Sequence, residues 1–165
     1  MDKDGKMKQE RLAKWLKGII IGVFICGLIL CFYVLPFWGK EVIEGNLELS
    51  HGFMPWMVLL WIAALPCFTV LILGWKVAGE IGADRSFSEK NAKYLKLVSV
   101  LALTDSAFVF TGNLLYLMLG FNRLGILFLS CLVVFVGIAV SVASALISHL
   151  VYKAARMQEE NELTI

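Results

Sequence analysis

Four long apolar runs constrain what this chain can fold into more than any other feature of its sequence. They are Gly18–Trp38, Phe53–Trp75, Leu95–Gly120 and Ile126–Val151. Each reaches the roughly 20 apolar residues that an α-helix needs to cross the hydrocarbon core of a bilayer. A soluble domain of 165 residues, 59% of them hydrophobic, could not bury that much apolar surface. The chain is therefore predicted to be an all-α membrane protein, one domain that forms a bundle of four transmembrane helices.

The first apolar run is predicted to remain in the protein as a span. It is longer than the apolar region of a signal peptide, which is about 7–15 residues, and no A-x-A-like cleavage site follows it. The cysteines lie inside apolar runs and form no C-x-x-C pair, so we expect small buried hydrophobic side chains rather than disulfides or a zinc site. They are Cys26, Cys31, Cys67 and Cys131.

The placement of lysine and arginine predicts the orientation of the spans. Basic residues near span ends stay preferentially on the cytoplasmic side of a membrane. Thirteen of the fifteen lie in the N-terminal tail (1–17), in or beside the connector between the second and third spans (76–94), or in the C-terminal tail (152–165). Only Lys40 and Arg123 lie in the other two loops. Both termini and the connector are therefore predicted to face the cytoplasm, in a multi-pass protein of the cell membrane.

The basic N-terminal tail carries apolar side chains at helical spacing, Leu12, Trp15 and Leu16. This pattern is typical of an interfacial helix, and here it would run directly into span one. Its cations would be attracted to anionic lipid by about 1 kcal/mol each. The lipid bilayer is thus the first partner that the sequence predicts.

The loop after span one holds the carboxylates and the imidazole that most resemble a metal-binding set. They are Glu41, Glu44, Glu48 and His51. Gly45 and Asn46 interrupt any helix there, and a loop that excludes lysine and arginine is left acidic without any metal. We therefore expect no metal or cofactor site in this loop.

Asp105 lies near the middle of span three, where a carboxyl group is expensive. Counted from Lys96, it is about 13 Å deep at roughly 1.5 Å per residue. At about 100° per residue, Gly112 and Tyr116 fall nearly in line with Asp105, and Asn113 and Ser106 lie to one side. These residues are predicted to form a polar stripe along one face of the helix.

An acid inside a span is a candidate functional residue, and two interpretations of Asp105 stay open. It could contribute only to packing, through a hydrogen bond to Trp61 of span two or to a Ser or Thr of span two or four. It could instead bind a proton or a ligand. Span four offers polar partners at a similar depth, Ser141 and Ser144, and Pro66 predicts a kink in span two.

The connector contains the signals of a helix start. Ser86-x-x-Glu89 matches a capping box, and Ser88 is a competing N-cap. The segment "EKNAKYLK" then continues into span three. Phe87 is expected to anchor the loop against the bundle.

Motifs that would indicate an enzyme are missing from the sequence. It contains no G-x-x-x-x-G-K-[ST], no G-x-S-x-G and no H-E-x-x-H. The basic residues follow the positive-inside pattern and leave no soluble module for nucleic acid. We therefore predict a protein that is not an enzyme, has no cofactor and does not bind nucleic acid directly.

The segment "RSFSEKNAKYLK", followed by an apolar helix with an Asp and a "GN", resembles the signature of a known family. It is the YoaS-like family of uncharacterised four-span bacterial membrane proteins, domain of unknown function 2975. The resemblance covers nearly the whole chain. Its most specific part is the element F-S-x-x-N-A-x-x-L, and the connector residues that it marks as candidates are Arg85, Phe87, Ser88, Asn91, Ala92 and Leu95.

Members of that family are often encoded beside a small helix-turn-helix regulator. The resemblance therefore implies a membrane partner for a cytoplasmic transcriptional regulator, with the connector as the contact. Two other hypotheses stay open. One is a small homo-oligomeric transporter or channel-like protein that uses Asp105 and Asn113. The other is an immunity or envelope-stress protein that acts through its acidic loop.

Overall fold

Helices account for all regular structure over the residues that this computed structural model describes, 3–44 and 51–163. Helix α1 is Lys3–Ile29; a π-helical turn, Leu30–Val34, joins it to α2, Leu35–Glu44; α3 is Phe53–Gly82, α4 is Glu89–Met118 and α5 is Leu124–Leu163. Four segments are long and apolar enough to cross a membrane: Met7–Glu41, Phe53–Gly82, Glu89–Met118 and Leu124–Asn161. The predicted all-α fold with four spans is confirmed.

The helices are longer than the apolar runs that predict them. The basic tail and span one form one continuous helix from Lys3, and α3 continues past Trp75 as far as Gly82. Since α4 begins at Glu89, the loop between these two helices is only residues 83–88, and we call it the connector loop.

Pro36 accounts for the π-helical turn in the first span. The Leu35 N–H donates to the Leu30 carbonyl, five residues back, instead of to Cys31. In that register the Cys31 carbonyl would need the N–H of residue 36, which proline lacks. The Trp61 indole of α3 donates to this carbonyl at 3.3 Å and so replaces the missing donor. The sequence reasoning, which considered Pro66, missed this effect.

The four spans pack mainly against their neighbours in the chain. Helix α1 packs on α3, α3 on α4, and α4 most extensively on α5. Phe24 meets Phe68 edge-to-face across the first contact, with ring centroids 5.2 Å apart. This order leaves α4 between α3 and α5, so that both flank the middle of span three.

Small and polar residues form the contact between α4 and α5. They recur at alternating spacings of three and four residues, which keeps one face of each helix against the other. On α4 they are Ala92, Leu95, Ser99, Ala102, Ser106, Val109 and Asn113, and on α5 Ser130, Val134, Gly137, Ser141, Ser144 and Ser148, all buried or half-buried. Small residues let two helix backbones approach closely inside a membrane, where no hydrophobic effect drives helices together.

Candidate functional site

The connector loop turns sharply between α3 and α4. The Ala83 and Arg85 N–H groups donate back to carbonyls of the last turn of α3, and Asp84 adopts a left-handed φ of 61°. Aspartate tolerates this conformation better than most residues. The Arg85 guanidinium then pairs with Glu80 at 3.0 Å.

The Asn91 side chain fixes the loop from inside. It is 1% exposed, and its Nδ2 group donates to the Arg85 carbonyl at 3.3 Å and to the Ser86 carbonyl at 3.0 Å. The Asn91 backbone N–H donates to Ser88 Oγ at 3.3 Å, which makes Ser88 the N-cap of α4. The order of Ser88 before Asn91 thus has a physical reason: one residue caps the helix and the other closes the loop.

Ala92 and Leu95 lie on the face of α4 that packs on α5. Ala92 is 4% exposed, and its carbonyl accepts a hydrogen bond from Ser148 of α5 at 2.7 Å. Leu95 is half-buried three residues further along. These two residues position the helix start and offer little surface to a partner.

Of the two N-cap candidates that the sequence offers, the structure uses Ser88, and the prediction for Phe87 is wrong. Ser88, not Ser86, caps the helix, because Asn91 holds the Ser86 carbonyl within the loop while the Ser86 hydroxyl donates to Gln9 of α1 at 3.4 Å. Phe87 does not fold against the bundle, since 59% of it is exposed. The two large side chains that the loop presents outward are therefore Phe87 and Arg85, whose side chain is 63% exposed; Ala83 and Asp84 are exposed as well.

The N-terminal helix completes this end of the molecule. Ala13 is 5% exposed, and a Cβ placed on Gly82 would lie 3.0 Å from the Ala13 Cβ. Together with the Gln9 contact, this close approach brings α1 against the end of α3 and the connector loop. The sequence pattern gave no signal for Gln9, because a single polar residue in a basic tail is unremarkable.

The residues of the predicted polar stripe of span three have different neighbours: some contact α3, and others lie toward α5. Tyr116 faces α3, where its hydroxyl donates to the Pro55 carbonyl at 3.0 Å. Asn113 is 4% exposed and accepts a hydrogen bond from Asn122 Nδ2 at 2.9 Å, in the turn that leads to α5. The Asn113 amide therefore shapes a turn and does not join Asp105 in one site.

The two serines of span four do not partner Asp105 as the sequence reasoning suggested. The Ser141 hydroxyl donates to the Ser99 carbonyl at 2.8 Å and lies 3.1 Å from the Ser99 hydroxyl. Ser144 lies half-buried one turn further along the same face of α5. The reason is geometric: this face meets the α4 face that carries Ser106, whereas Asp105 is rotated toward α3.

Asp105 meets the thiol of Cys67 on α3. The Cys67 thiol donates to Asp105 Oδ2 over 3.7 Å, a long contact to a weak donor. The other oxygen, Oδ1, is buried and has no hydrogen-bond partner among the described residues. The sequence reasoning treated Cys67 only as a small hydrophobic residue and so missed this pair.

Asp105 is one of the residues that line an apolar groove of about 280 Å³. Residues of α3, α4 and α5 all contribute to its lining. The residues that line it include Pro66, Cys67, Val70, Ser106, Val136 and Val140. It is a second candidate site, separate from the connector loop.

The acidic loop after span one lies partly outside the described residues. Glu48 and the side chain of Glu44 are not described, whereas Glu41 and His51 are. Among the side chains that the structure describes, no three His, Cys, Asp or Glu come close enough together to hold a metal ion.

Taken together, the helices and the two sites define a four-span helical membrane protein without a recognisable catalytic centre in the described part of the chain. The sequence profile of the family described as "Protein of unknown function (DUF2975)" matches residues 19–165. The chain belongs to this family.

A curated relative comes from Bacillus subtilis (strain 168), where it is named "Uncharacterized membrane protein YoaS". The two sequences are 26% identical over 153 residues, which cover 89% of this chain and 92% of that protein. No solved structure matches the chain. The family resemblance drawn from the connector is confirmed, and the relative, like the family, is described only as uncharacterised.

Proposed function

We propose that this chain is a non-enzymatic regulatory membrane protein that binds a cytoplasmic protein through its connector loop, a small helix-turn-helix regulator being the expected partner. The observation that carries the proposal is the exposure of Phe87, 59%, on a six-residue loop that Asn91 holds in one shape. An aromatic side chain on a fixed loop, next to an arginine, is the composition typical of interface hot spots.

The electrostatics of the same end support this proposal. Lysine and arginine are concentrated in the N-terminal tail and around the connector, and the positive-inside rule assigns such segments to the cytoplasm. Helix α1 contacts the loop through Gln9, so the basic tail and the connector loop form one surface. A soluble regulator would meet both together.

Surface substitutions test the proposal better than a deletion. Removing residues 86–93 would also remove Ser88 and Asn91 and so distort the start of α4. Phe87→Ser changes one exposed side chain and leaves the ion pair of Arg85 with Glu80 in place, and we expect it to abolish co-purification of a tagged helix-turn-helix regulator. Lys90→Ser, on the exposed first turn of α4, is the control. Co-purification that survives the Phe87 change would overturn the proposal.

A second candidate function, a small oligomeric transporter or channel-like protein, is supported by the Asp105 carboxyl alone. Its Oδ1 atom has no partner within the described residues, which is costly for a group that serves packing only. If Asp105 carries protons, Asp105→Asn should abolish pH-driven proton flux into proteoliposomes. Equal flux from the variant and the unaltered protein would exclude this function.

A further inference from the structure

The groove over Asp105 combines apolar walls with a carboxyl group that has hydrogen-bonding capacity to spare. Val70 of α3 and four valines of α5 line it, together with Asp105 of α4. The only described hydrogen bond to the carboxyl comes from the Cys67 thiol over 3.7 Å. Each carboxylate oxygen has two lone pairs, so Oδ2 can accept a second hydrogen bond beside the one from the Cys67 thiol.

This chain has no cation of its own to place there. Spans one to four contain no Lys, Arg or His between residues 18 and 38, 53 and 75, 97 and 120, or 124 and 148. A second copy of the chain would therefore bring no positive charge to Asp105 either. A positive charge at this depth must therefore come from a different molecule.

The volume of the groove limits which molecules can bind there. Its volume of about 280 Å³ is close to the lower end of ligand pockets, which is roughly 300 Å³. A transmembrane helix, about 10 Å across, needs a much larger surface. A compact organic molecule fits the groove better than a protein segment.

We propose that the groove between α3 and α5 binds a small hydrophobic amine, whose N–H groups donate to the Asp105 carboxyl while its hydrocarbon part packs on the valine walls. The amine and the carboxyl then share one proton, as a charge-assisted hydrogen bond. Such a molecule reaches the site through the lipid as the neutral amine. The proposal uses the same residue as the second candidate function but does not depend on transport, since binding without flux would still satisfy it.

Binding of radiolabelled 2-phenylethylamine to the full chain in lipid nanodiscs tests the proposal. We expect saturable binding with about one amine per chain, competed by unlabelled amine and not by ethylbenzene, which has the same hydrocarbon part and no donor. Asp105→Asn should weaken binding at least tenfold. Asp84→Asn, in the exposed connector loop, is the matched control and should leave binding unchanged.

A second variant keeps the test valid if Asp105→Asn does not fold. Val140→Phe adds volume to the wall of the groove without altering the acid, and it should weaken binding by a similar factor. Absence of saturable binding, equal competition by ethylbenzene, or full binding by a folded Asp105→Asn variant would each overturn the proposal. Proteoliposome flux, measured separately, decides whether the bound amine is also transported.

Discussion

At the residue scale, the Asn91 side chain donates hydrogen bonds to carbonyls of the connector loop, as backbone N–H groups do inside a helix. Its Nδ2 group donates to the carbonyls of two consecutive residues, Arg85 and Ser86, while its backbone N–H donates to the Ser88 hydroxyl that caps the helix. The side chain is buried where the three bonds meet. The loop that presents Phe87 therefore depends on one amide.

We predict that Asn91→Ala lowers the free energy of unfolding by about 2 kcal/mol, because two carbonyls lose their donor inside the structure. Thermal unfolding in detergent should show a lower midpoint. Asn91→Asp, of nearly the same shape, should be at least as damaging, since it places carboxylate oxygens against those carbonyls. Lys90→Ala, one residue earlier and exposed, is the control. An Asn91→Ala protein as stable as the control would refute this role.

Trp61 and Pro36 are predicted to be energetically coupled. Trp61→Phe removes the donor to the Cys31 carbonyl, which Pro36 leaves without an intrahelical partner. Hydrogen bonds between membrane helices contribute about 0.6 kcal/mol on average, so we expect a loss of that order.

A double-mutant cycle measures this coupling. Pro36→Ala restores the missing N–H and lets the first span return to an α-helix, so Trp61→Phe should then cost little. If Trp61→Phe lowers the free energy of unfolding equally in the unaltered protein and in the Pro36→Ala variant, the Trp61 hydrogen bond does not replace the lost backbone donor.

Some of these roles can be predicted from the residue type, and others cannot. Asp105 and Asn113 could be singled out from the sequence because polar groups inside spans are rare and costly. Their partners, Cys67 and Asn122, could not, because partner choice depends on how far α4 is rotated between its neighbours. A rotation of one residue, about 100°, separates the face that meets α3 from the face that meets α5.

At the scale of elements, Gly137 determines how closely α5 approaches α4. A Cβ at this position would collide with the Ser106 hydroxyl. We predict that Gly137→Leu destabilises the protein by about 1–3 kcal/mol, as overpacking usually does. Gly125→Leu is a matched control on the same helix, because a Cβ there meets nothing within 4 Å.

A cysteine pair reports the same contact directly. Ser99→Cys and Ser141→Cys replace hydroxyls that lie 3.1 Å apart, so they should form a disulfide on oxidation. Adding Gly137→Leu should slow this reaction, and adding Gly125→Leu should not. Equal rates would mean that Gly137 does not set the distance between the helices.

The existence of the four spans could be predicted from hydropathy, but their packing order could not. Helices that are apolar on all sides give no periodic signal of which face meets protein and which meets lipid. The small residues of α5 recur at a clear spacing, yet span one has a similar spacing at Gly18, Gly22 and Cys26. In the structure, a Cβ on Gly18 or Gly22 meets nothing within 4 Å. A small-residue pattern alone therefore does not locate a contact.

At the scale of the whole molecule, the two candidate sites lie on different parts of one framework. The connector loop joins α3 to α4, and the groove over Asp105 lies between α3 and α5 on the same α4 helix. A ligand that binds in the groove would contact both helices that the loop joins. Under the proposed function, such contacts would link a ligand in the membrane to the loop that binds the partner.

Display of the connector loop to the cytoplasm is tested most directly by the labelling of single cysteines with a membrane-impermeant maleimide. The probes are Phe87→Cys in the connector loop and Arg123→Cys in the turn between α4 and α5, in a background where the four native cysteines are alanine. We predict that intact cells protect Phe87→Cys and expose Arg123→Cys, and that inverted vesicles show the reverse. Labelling of Phe87→Cys in intact cells would contradict the orientation and, with it, the proposal that this loop binds a cytoplasmic regulator.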